Sequence, residues 1–389
     1  MTSLSDDKEH VPVFVHFLKP KTFSLLIAGG VLYALFNLYF AFLTSSNLDI
    51  LNGVLILILF VPVALFLRLE ADRLLVKRVD EIFSEGKSKV KDLFKSDRDF
   101  SLFAKKSKGM IRSSKEYYFI IAFLIFLFIM NPTTQDIVRG KANEIMQNAL
   151  AIDSIYKFYY SIYFGLFVAI IIASIIYSII GFIAIMVSIN KEKYTLKITK
   201  SIEEFKKALS LLKTKGKAET GFDFIDLSFG ELKEALTPLQ KLGYDLAVSC
   251  ATFGLAFSTP GIIYFFITHD LSNMVYFGLI VFVAFLSLSI LVATEFGIGR
   301  VWTSSKSEAT SVLEQLCDRV KLRCVKSICT LEDFQSRENS VKDVAFVRST
   351  ISDLREIRTS DFTARTVAQI ITTLVLPYIP LVLKILGLY

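Results

Sequence analysis

The residues whose types and spacing could support catalysis or cofactor binding are a few glycines and histidines. A phosphate-binding loop needs a glycine-rich turn ending in Gly-Lys-Ser/Thr, and Lys215-Gly216-Lys217 lacks both the upstream glycine and the hydroxyl. Gly297-Ile298-Gly299 follows an apolar run instead of a strand, which argues against a dinucleotide site. The histidines are His10, His16 and His269, with no pair at the spacing of a zinc-protease helix. We therefore predict no catalytic, cofactor-binding or metal-ligating residue, and no enzymatic activity.

The four cysteines do not form a recognisable redox or metal motif. Cys317 and Cys324 are seven residues apart on one predicted helix face, and Cys329 follows them. This spacing suits neither a zinc ribbon nor a CxxC pair, so we predict small, buried, reduced thiols.

Composition indicates a membrane protein. Of the 389 residues, 53% are hydrophobic and 35 are phenylalanine, and much of this apolar content lies in long uncharged runs. Continuous runs rich in Leu, Ile and Phe are typical of membrane helices, whereas barrel strands alternate. The net charge of +7 comes from basic segments between those runs, so it indicates topology and not a nucleic-acid partner.

The runs predict an all-α polytopic protein with seven transmembrane helices. The predicted segments are a cytoplasmic N-terminus at 1–21, a first hairpin at 22–67, a basic cytoplasmic helical segment at 68–116, the third span, outer amphipathic segment and fourth span at 117–189, a cytoplasmic helical segment at 190–243, a second hairpin at 244–299, cytoplasmic amphipathic helices at 300–361 and the seventh span at 362–389. The third run, Tyr117 to Met130, is short enough to be re-entrant, but the charge distribution favours a crossing.

Lysine and arginine counts set the orientation. There are 3 before the first span, then 13, 11 and 11 in the three predicted inner segments, against 3 in the long outer loop and none in the tight outer turns. The positive-inside rule then predicts an inward N-terminus and an outward C-terminus, in a plasma or bacterial inner membrane.

Apolar stripes predict that the even-numbered spans extend into a cytoplasmic helical layer. The second should continue to Gly86, the fourth through Leu212 and the sixth through Ile328. In contrast, Glu219 to Gln240 contains two glycines and a proline, which predicts a break and a return to the membrane. The apolar patch Val11 to Leu18 is expected at the membrane interface.

Charge is scarce inside the predicted spans. Asp245 and Arg365 fall in first turns, and Lys384 falls near the outer end of the last span, where the interface can solvate them. Glu295 lies deeper, about one turn from the inner end of the sixth span. It is either an interfacial acid, paired with Arg300 or a neighbouring helix, or part of a permeation or proton site.

Polar residues beside prolines are the candidates for a pore or cavity, because a proline frees a backbone carbonyl that needs a polar neighbour. Together with Glu295 they are Ser258, Thr259, Pro260, Thr372, Thr373 and Pro377. The alternative is that these hydroxyls bond carbonyls of their own helices.

Basic residues on predicted helices are the candidates for a surface that contacts anionic headgroups or a protein partner. They are Lys105, Lys106, Lys108, Arg112, Lys206, Lys207, Arg355 and Arg358. The alternative for Lys87 to Lys115 is that its charge only determines topology.

Two functions fit these features. One is a pore-forming homo-oligomeric ion channel with a cytoplasmic helical anchor, favoured by prolines that break the fifth and seventh spans. The other is a non-conducting scaffold whose amphipathic helices bind a cytoplasmic partner. In layout the chain is similar to insect olfactory and gustatory receptor channels, which share its length, span number and orientation and line their pore with the last helix. The similarity is confined to layout, because Leu376-Pro377-Tyr378-Ile379-Pro380 stands where gustatory receptors carry Thr-Tyr…Gln-Phe.

Overall fold

The computed structural model describes residues 10–43, most of 47–130, then 167–189, 220–268 and 274–329, with single positions between 342 and 352. Secondary structure in these ranges is helical and includes no β-strand, which confirms the all-α prediction. The α-helices are α1 Val13–Leu18, α2 Pro20–Leu43, α3 Asn47–Glu70, α4 Val79–Ile82, α5 Asp97–Ile111, α6 Glu116–Met130, α7 Ala169–Ser188, α8 Thr220–Thr268 and α9 Met274–Cys329. A π-helix, Ala71–Arg78, joins α3 to α4, and a 3-10 helix, Lys89–Leu93, precedes α5.

Two helical segments in the described ranges are long and apolar enough to cross a membrane. They are the 20 residues Ala169–Ser188, which form α7, and the 27 residues Val281–Ser307 within α9. A shorter apolar helix, Pro20–Phe36, lies within α2.

Two of the three predicted helical extensions fall in the described residues. After α3 the chain stays helical through the π-helix and α4 to Ile82, close to the expected end at Gly86. Helix α9 continues without interruption to Cys329, and its 56 residues span about 84 Å at 1.5 Å per residue. The extension predicted for the fourth span, residues 190–219, lies outside the described residues.

The break predicted between Glu219 and Gln240 is wrong. Helix α8 is a single helix of 49 residues that includes Gly221, Gly230 and Pro238. The fifth predicted span is therefore extended on its inner side as well, and α8 and α9 pack against each other as a pair of long helices.

Packing explains why α8 continues through Pro238. Proline has no N–H, so the carbonyl of Glu234, four residues earlier, has no helical donor. On the next turn Leu239 and Leu242 are fully buried. Burying two leucines contributes about 1.5–3 kcal/mol each, which is comparable to the cost of a proline inside a helix.

Helix α5 shows how sequence determines the inner part of the fold. Its N-cap is Ser96, whose side-chain oxygen accepts the backbone N–H of Asp99 at 3.2 Å. The helix is amphipathic, and one face is buried, with Phe100 and Phe103 almost completely enclosed.

Helix α7 is the centre of the described core. It packs against α1, α5, α6 and α9, and Phe182, Ile185 and Met186 are almost completely enclosed. A Cβ at Gly181 would collide with the backbone carbonyl of Met110, so this position requires a residue without a side chain. Glycine thus allows the end of α5 to approach α7 at backbone distance.

Candidate functional site

The predicted pore residues in the described part of the chain belong to α8. The Thr259 hydroxyl donates to the carbonyl of Leu255 at 2.8 Å, within its own helix. Ser258 and Pro260 lie in the same turn, and the helix continues through them to Thr268. The expectation that proline breaks the fifth span is therefore wrong. Thr372, Thr373 and Pro377 lie outside the described residues.

Glu295 joins α9 to α8 through hydrogen bonds. The Tyr244 hydroxyl donates to Glu295 Oε1, and the Gln240 side-chain amide donates to the same oxygen at 3.3 Å. The amide also donates to the Tyr244 hydroxyl at 3.1 Å. Arg300, one of the expected partners, has its guanidinium over the Phe296 ring at 4.6 Å.

Asp245 on α8 is ion-paired with residues of the π-helix. The Arg78 guanidinium donates to Asp245, and Arg73 lies 3.9 Å from the same carboxylate. Arg73 also donates to Glu70 at 2.6 Å, and Glu70 accepts the Ser249 hydroxyl at 2.7 Å. The hydrogen bond to Glu70 is the main reason that the pKa of Arg73 is raised above its usual value. These contacts fasten α8 to the C-terminal end of α3.

Two of the cations predicted for a lipid or partner surface make ion pairs within the protein. Arg112 donates to Asp80 at 2.9 Å and to the π-helix carbonyls of Leu75 and Val76 at 3.4 and 3.3 Å. Lys108 lies 3.6 Å from the same aspartate. Arg112 therefore stabilises the π-helix against the end of α5.

Of the other basic residues predicted for that surface, two lie in the described part of the chain and four do not. Lys105 and Lys106 are adjacent on α5 and both are exposed. Lys206, Lys207, Arg355 and Arg358 lie outside the described residues.

Glu116, the first residue of α6, is a buried carboxylate that the sequence analysis did not single out. Its side chain accepts the His10 ring N–H at 2.8 Å and the Val13 backbone N–H at 3.0 Å. The Ser174 hydroxyl of α7 also donates to it, and this hydroxyl oxygen in turn accepts the Phe14 backbone N–H at 2.9 Å. Glu116, Phe14 and Ser174 are all fully buried.

This cluster adds a tertiary contact to the expectation for Val11 to Leu18. The segment packs against α7 and buries Phe14, while Val11 stays about half exposed. The only sequence signal for Glu116 was its position, as a single acid directly before the apolar run that starts at Tyr117. An acid at that position usually indicates only a helix N-terminus.

The thiols and acids of the described residues offer no metal site. Cys317 is buried, as predicted, while the structure gives no side-chain environment for Cys324 and Cys329. Among the described residues, no three His, Cys, Asp or Glu side chains are grouped so that they could hold a metal ion.

The fold and these contacts define an all-helical protein that has two membrane-length apolar helices in its described part, with charged clusters joining α1, α3, α6, α7 and α8. No protein-family model, no curated protein and no solved structure matches the chain. Its function is inferred here from its own residues.

Proposed function

We propose that this chain is a seven-span integral membrane protein, with its N-terminus inside and its C-terminus outside, that works as a non-conducting assembly platform. Its inner helical layer would bind a cytoplasmic protein partner or further copies of the chain. The observation that carries the proposal is that the C-terminal half of α7, although apolar enough for lipid, packs in one core with α5, α8 and α9.

Exposed apolar side chains support membrane embedding of more helices than α7 and α9. Leu25 on α2 is 72% exposed, Tyr118 on α6 is 77% exposed and Phe285 on α9 is 68% exposed. Each exposed side chain of this size is unfavourable in water by about 25 cal/mol per Å² of apolar surface. Lipid contact removes that cost, so these helices are best accommodated in a bilayer.

Contacts between charged and apolar helices support an inner membrane boundary at the level of Glu116. This residue begins α6 beside Lys115, and Glu70 at the end of α3 meets Ser249 of α8. We place the boundary through Glu70, Glu116 and Ser249, because the charged inner ends of α3 and α6 lie there.

The same boundary meets α7 at Ser174, which contacts Glu116. From Ser174 to Ser188 the helix rises about 21 Å, and this part contacts α5 at Gly181 and α9 at Met186. The uncharged run from Phe158 to Ile189 is longer than a bilayer requires. Our interpretation is that its outer half crosses the membrane and its inner half is the core of the inner layer.

A pore-forming oligomeric channel is the second candidate. The observation that favours it is Pro260, which lies next to Thr259 in the uncharged outer half of α8. Against it, the Thr259 hydroxyl bonds its own helix, and Glu295 is held by Tyr244 and Gln240, so these groups do not need a water-filled path. We therefore rank the platform first.

Ion-flux measurements on purified full-length protein in liposomes distinguish the platform from the channel. The oligomeric state in detergent is determined on the same sample. The platform predicts no ion flux above that of empty liposomes. Flux from a symmetric oligomer would contradict it and establish the channel.

A second arm tests partner binding directly. If a soluble partner binds the inner layer, charge reversal at Arg355 and Arg358 should release it and leave the flux unchanged. The same reversal at Lys77 is the control, since that residue is 70% exposed and is not one of the candidate surface residues. Retention of the partner by the Arg355 and Arg358 variant would place the docking surface elsewhere.

A further inference from the structure

We propose that residues 10–18 form a latch that docks on α6 and α7, and that the buried carboxylate of Glu116 holds the latch in place. This inference goes beyond the platform proposal, because it assigns a docked and an undocked state to the N-terminal segment. It rests on the geometry around Glu116 and is independent of whether the protein conducts.

The latch cannot be stable by itself. Helix α1 has only six residues, and isolated helices of that length do not persist in water. Pro12 precedes it and offers no side-chain hydrogen bond to its first backbone N–H groups. The N–H of Val13 is satisfied instead by Glu116, from a helix that starts 103 residues later.

Two backbone donors of the latch depend on Glu116. One is the Val13 N–H, which the carboxylate binds directly at 3.0 Å. The other is the Phe14 N–H, which binds the Ser174 oxygen at 2.9 Å while the Ser174 hydroxyl donates to Glu116. Removing the carboxylate therefore leaves the part-buried Val13 N–H without its acceptor and breaks the buried bond from the Ser174 hydroxyl.

The side chains of the latch close over the same site. Phe14 is fully buried, and the His10 ring packs edge-on against Tyr117 with centroids 5.2 Å apart. The His10 N–H donates to Glu116 at 2.8 Å, so the ring covers the open side of the carboxylate. These contacts exclude water from Glu116, which is fully buried.

The latch is connected to the first membrane helix. The Thr22 hydroxyl of α2 donates to the carbonyls of His16 and Lys19 at 2.7 and 3.0 Å. Because Lys19 is the only residue between α1 and α2, the docked latch determines where α2 starts relative to α6 and α7. Undocking would release the inner end of the α2–α3 hairpin, which gives the protein a two-state element at the membrane boundary.

Hydrogen exchange of the full-length protein in nanodiscs tests the latch. In the wild type, the peptide covering residues 10–18 should exchange slowly. In Glu116→Ala it should exchange at least about tenfold faster, the effect of losing one buried hydrogen bond. Glu81→Ala is the matched control, because Glu81 is an exposed acid on α4 and its loss should change nothing. A peptide of α8 covering residues 232–250 reports on the remaining fold and should keep its wild-type rate.

Unchanged protection of residues 10–18 in folded Glu116→Ala would overturn the proposal, and so would rapid exchange of this segment in the wild type. Should Glu116→Ala not accumulate as folded protein, Ser174→Ala and His10→Ala remove the neighbouring bonds one at a time. Faster exchange limited to residues 10–18 supports the latch, while wild-type rates in both variants contradict it.

Discussion

The carboxylate of Glu116 accepts the backbone N–H of Val13 at 3.0 Å, although these residues are separated by 103 positions in the chain. This bond joins the N-terminal segment to the start of α6, and Ser174 extends the contact to α7. One buried acid therefore connects three segments at the level where we place the inner membrane boundary.

Replacing Gly181 by valine should destabilise the contact between α5 and α7. A side chain at this position would collide with the carbonyl of Met110, and overpacking of this kind costs about 1–3 kcal/mol. Gly109→Ala is the control, because a Cβ there meets no atom within 4 Å and alanine favours the helix. Thermal unfolding in detergent should show a lower Tm for Gly181→Val only. Equal melting temperatures for both variants would contradict the close approach.

Charge reversal at Asp245 should weaken the attachment of α8 to the π-helix. Arg78 and Asp245 are 22% and 28% exposed, so breaking the pair should cost about 1–3 kcal/mol. The double variant Arg78→Asp with Asp245→Arg should recover part of the loss. Asp318→Asn on α9 breaks a more exposed pair with Lys321 and should change stability by less than about 0.5 kcal/mol. Absence of any recovery in the double variant would argue against a direct pair.

Lys105 and Lys106 should respond to lipid charge, whereas Arg112 should not. The two lysines are exposed on α5, so replacing both by glutamine should reduce the extra thermal stability that anionic lipid gives to the protein. Arg112→Gln should lower stability equally in neutral and anionic nanodiscs, because Arg112 binds Asp80 and the π-helix. If anionic lipid stabilised the lysine variant and the wild type equally, these lysines would not be part of the lipid-binding surface.

Bulky substitutions in α8 and the last predicted span should not change flux if the protein is a platform. Ser258→Phe and Thr373→Phe would narrow a pore at the two candidate sites. We expect both variants, like the wild type, to show no ion flux in the same liposome assay. A wild-type current that either variant alters would support the channel instead.

Sequence patterns predicted several of the helices but not the contacts between them. Uncharged runs predicted α2, α3, α6 and the outer part of α9, since length and apolarity are local properties. The stripe from Leu75 to Phe83 predicted the inner extension of α3. Its π-helical geometry was not predictable, because the carbonyls of Leu75 and Val76 are bound by the distant Arg112.

The errors have a common physical origin. Pro238 and Pro260 were interpreted as breaks, yet α8 is continuous through both and packs against α9. The roles of Glu116, His10 and Ser174 depend on residues far apart in the chain, and no local spacing indicates such contacts. Asp245 and Glu295 were recognised as unusual charges, but their partners were visible only in the fold.

The claim of an inner helical layer around α7 is tested most directly by cysteine labelling. Ile180→Cys is made in a background without the four native cysteines and is treated with a membrane-impermeant maleimide. Ile180 is 42% exposed and lies in the C-terminal half of α7, which we place in the inner layer. Glu81→Cys serves as the accessible control and Ile125→Cys on α6 as the lipid-facing one. We predict that Ile180→Cys is labelled in inside-out vesicles and protected in right-side-out vesicles. Protection in both orientations, as for Ile125→Cys, would place this part of α7 in lipid and contradict the inner helical layer.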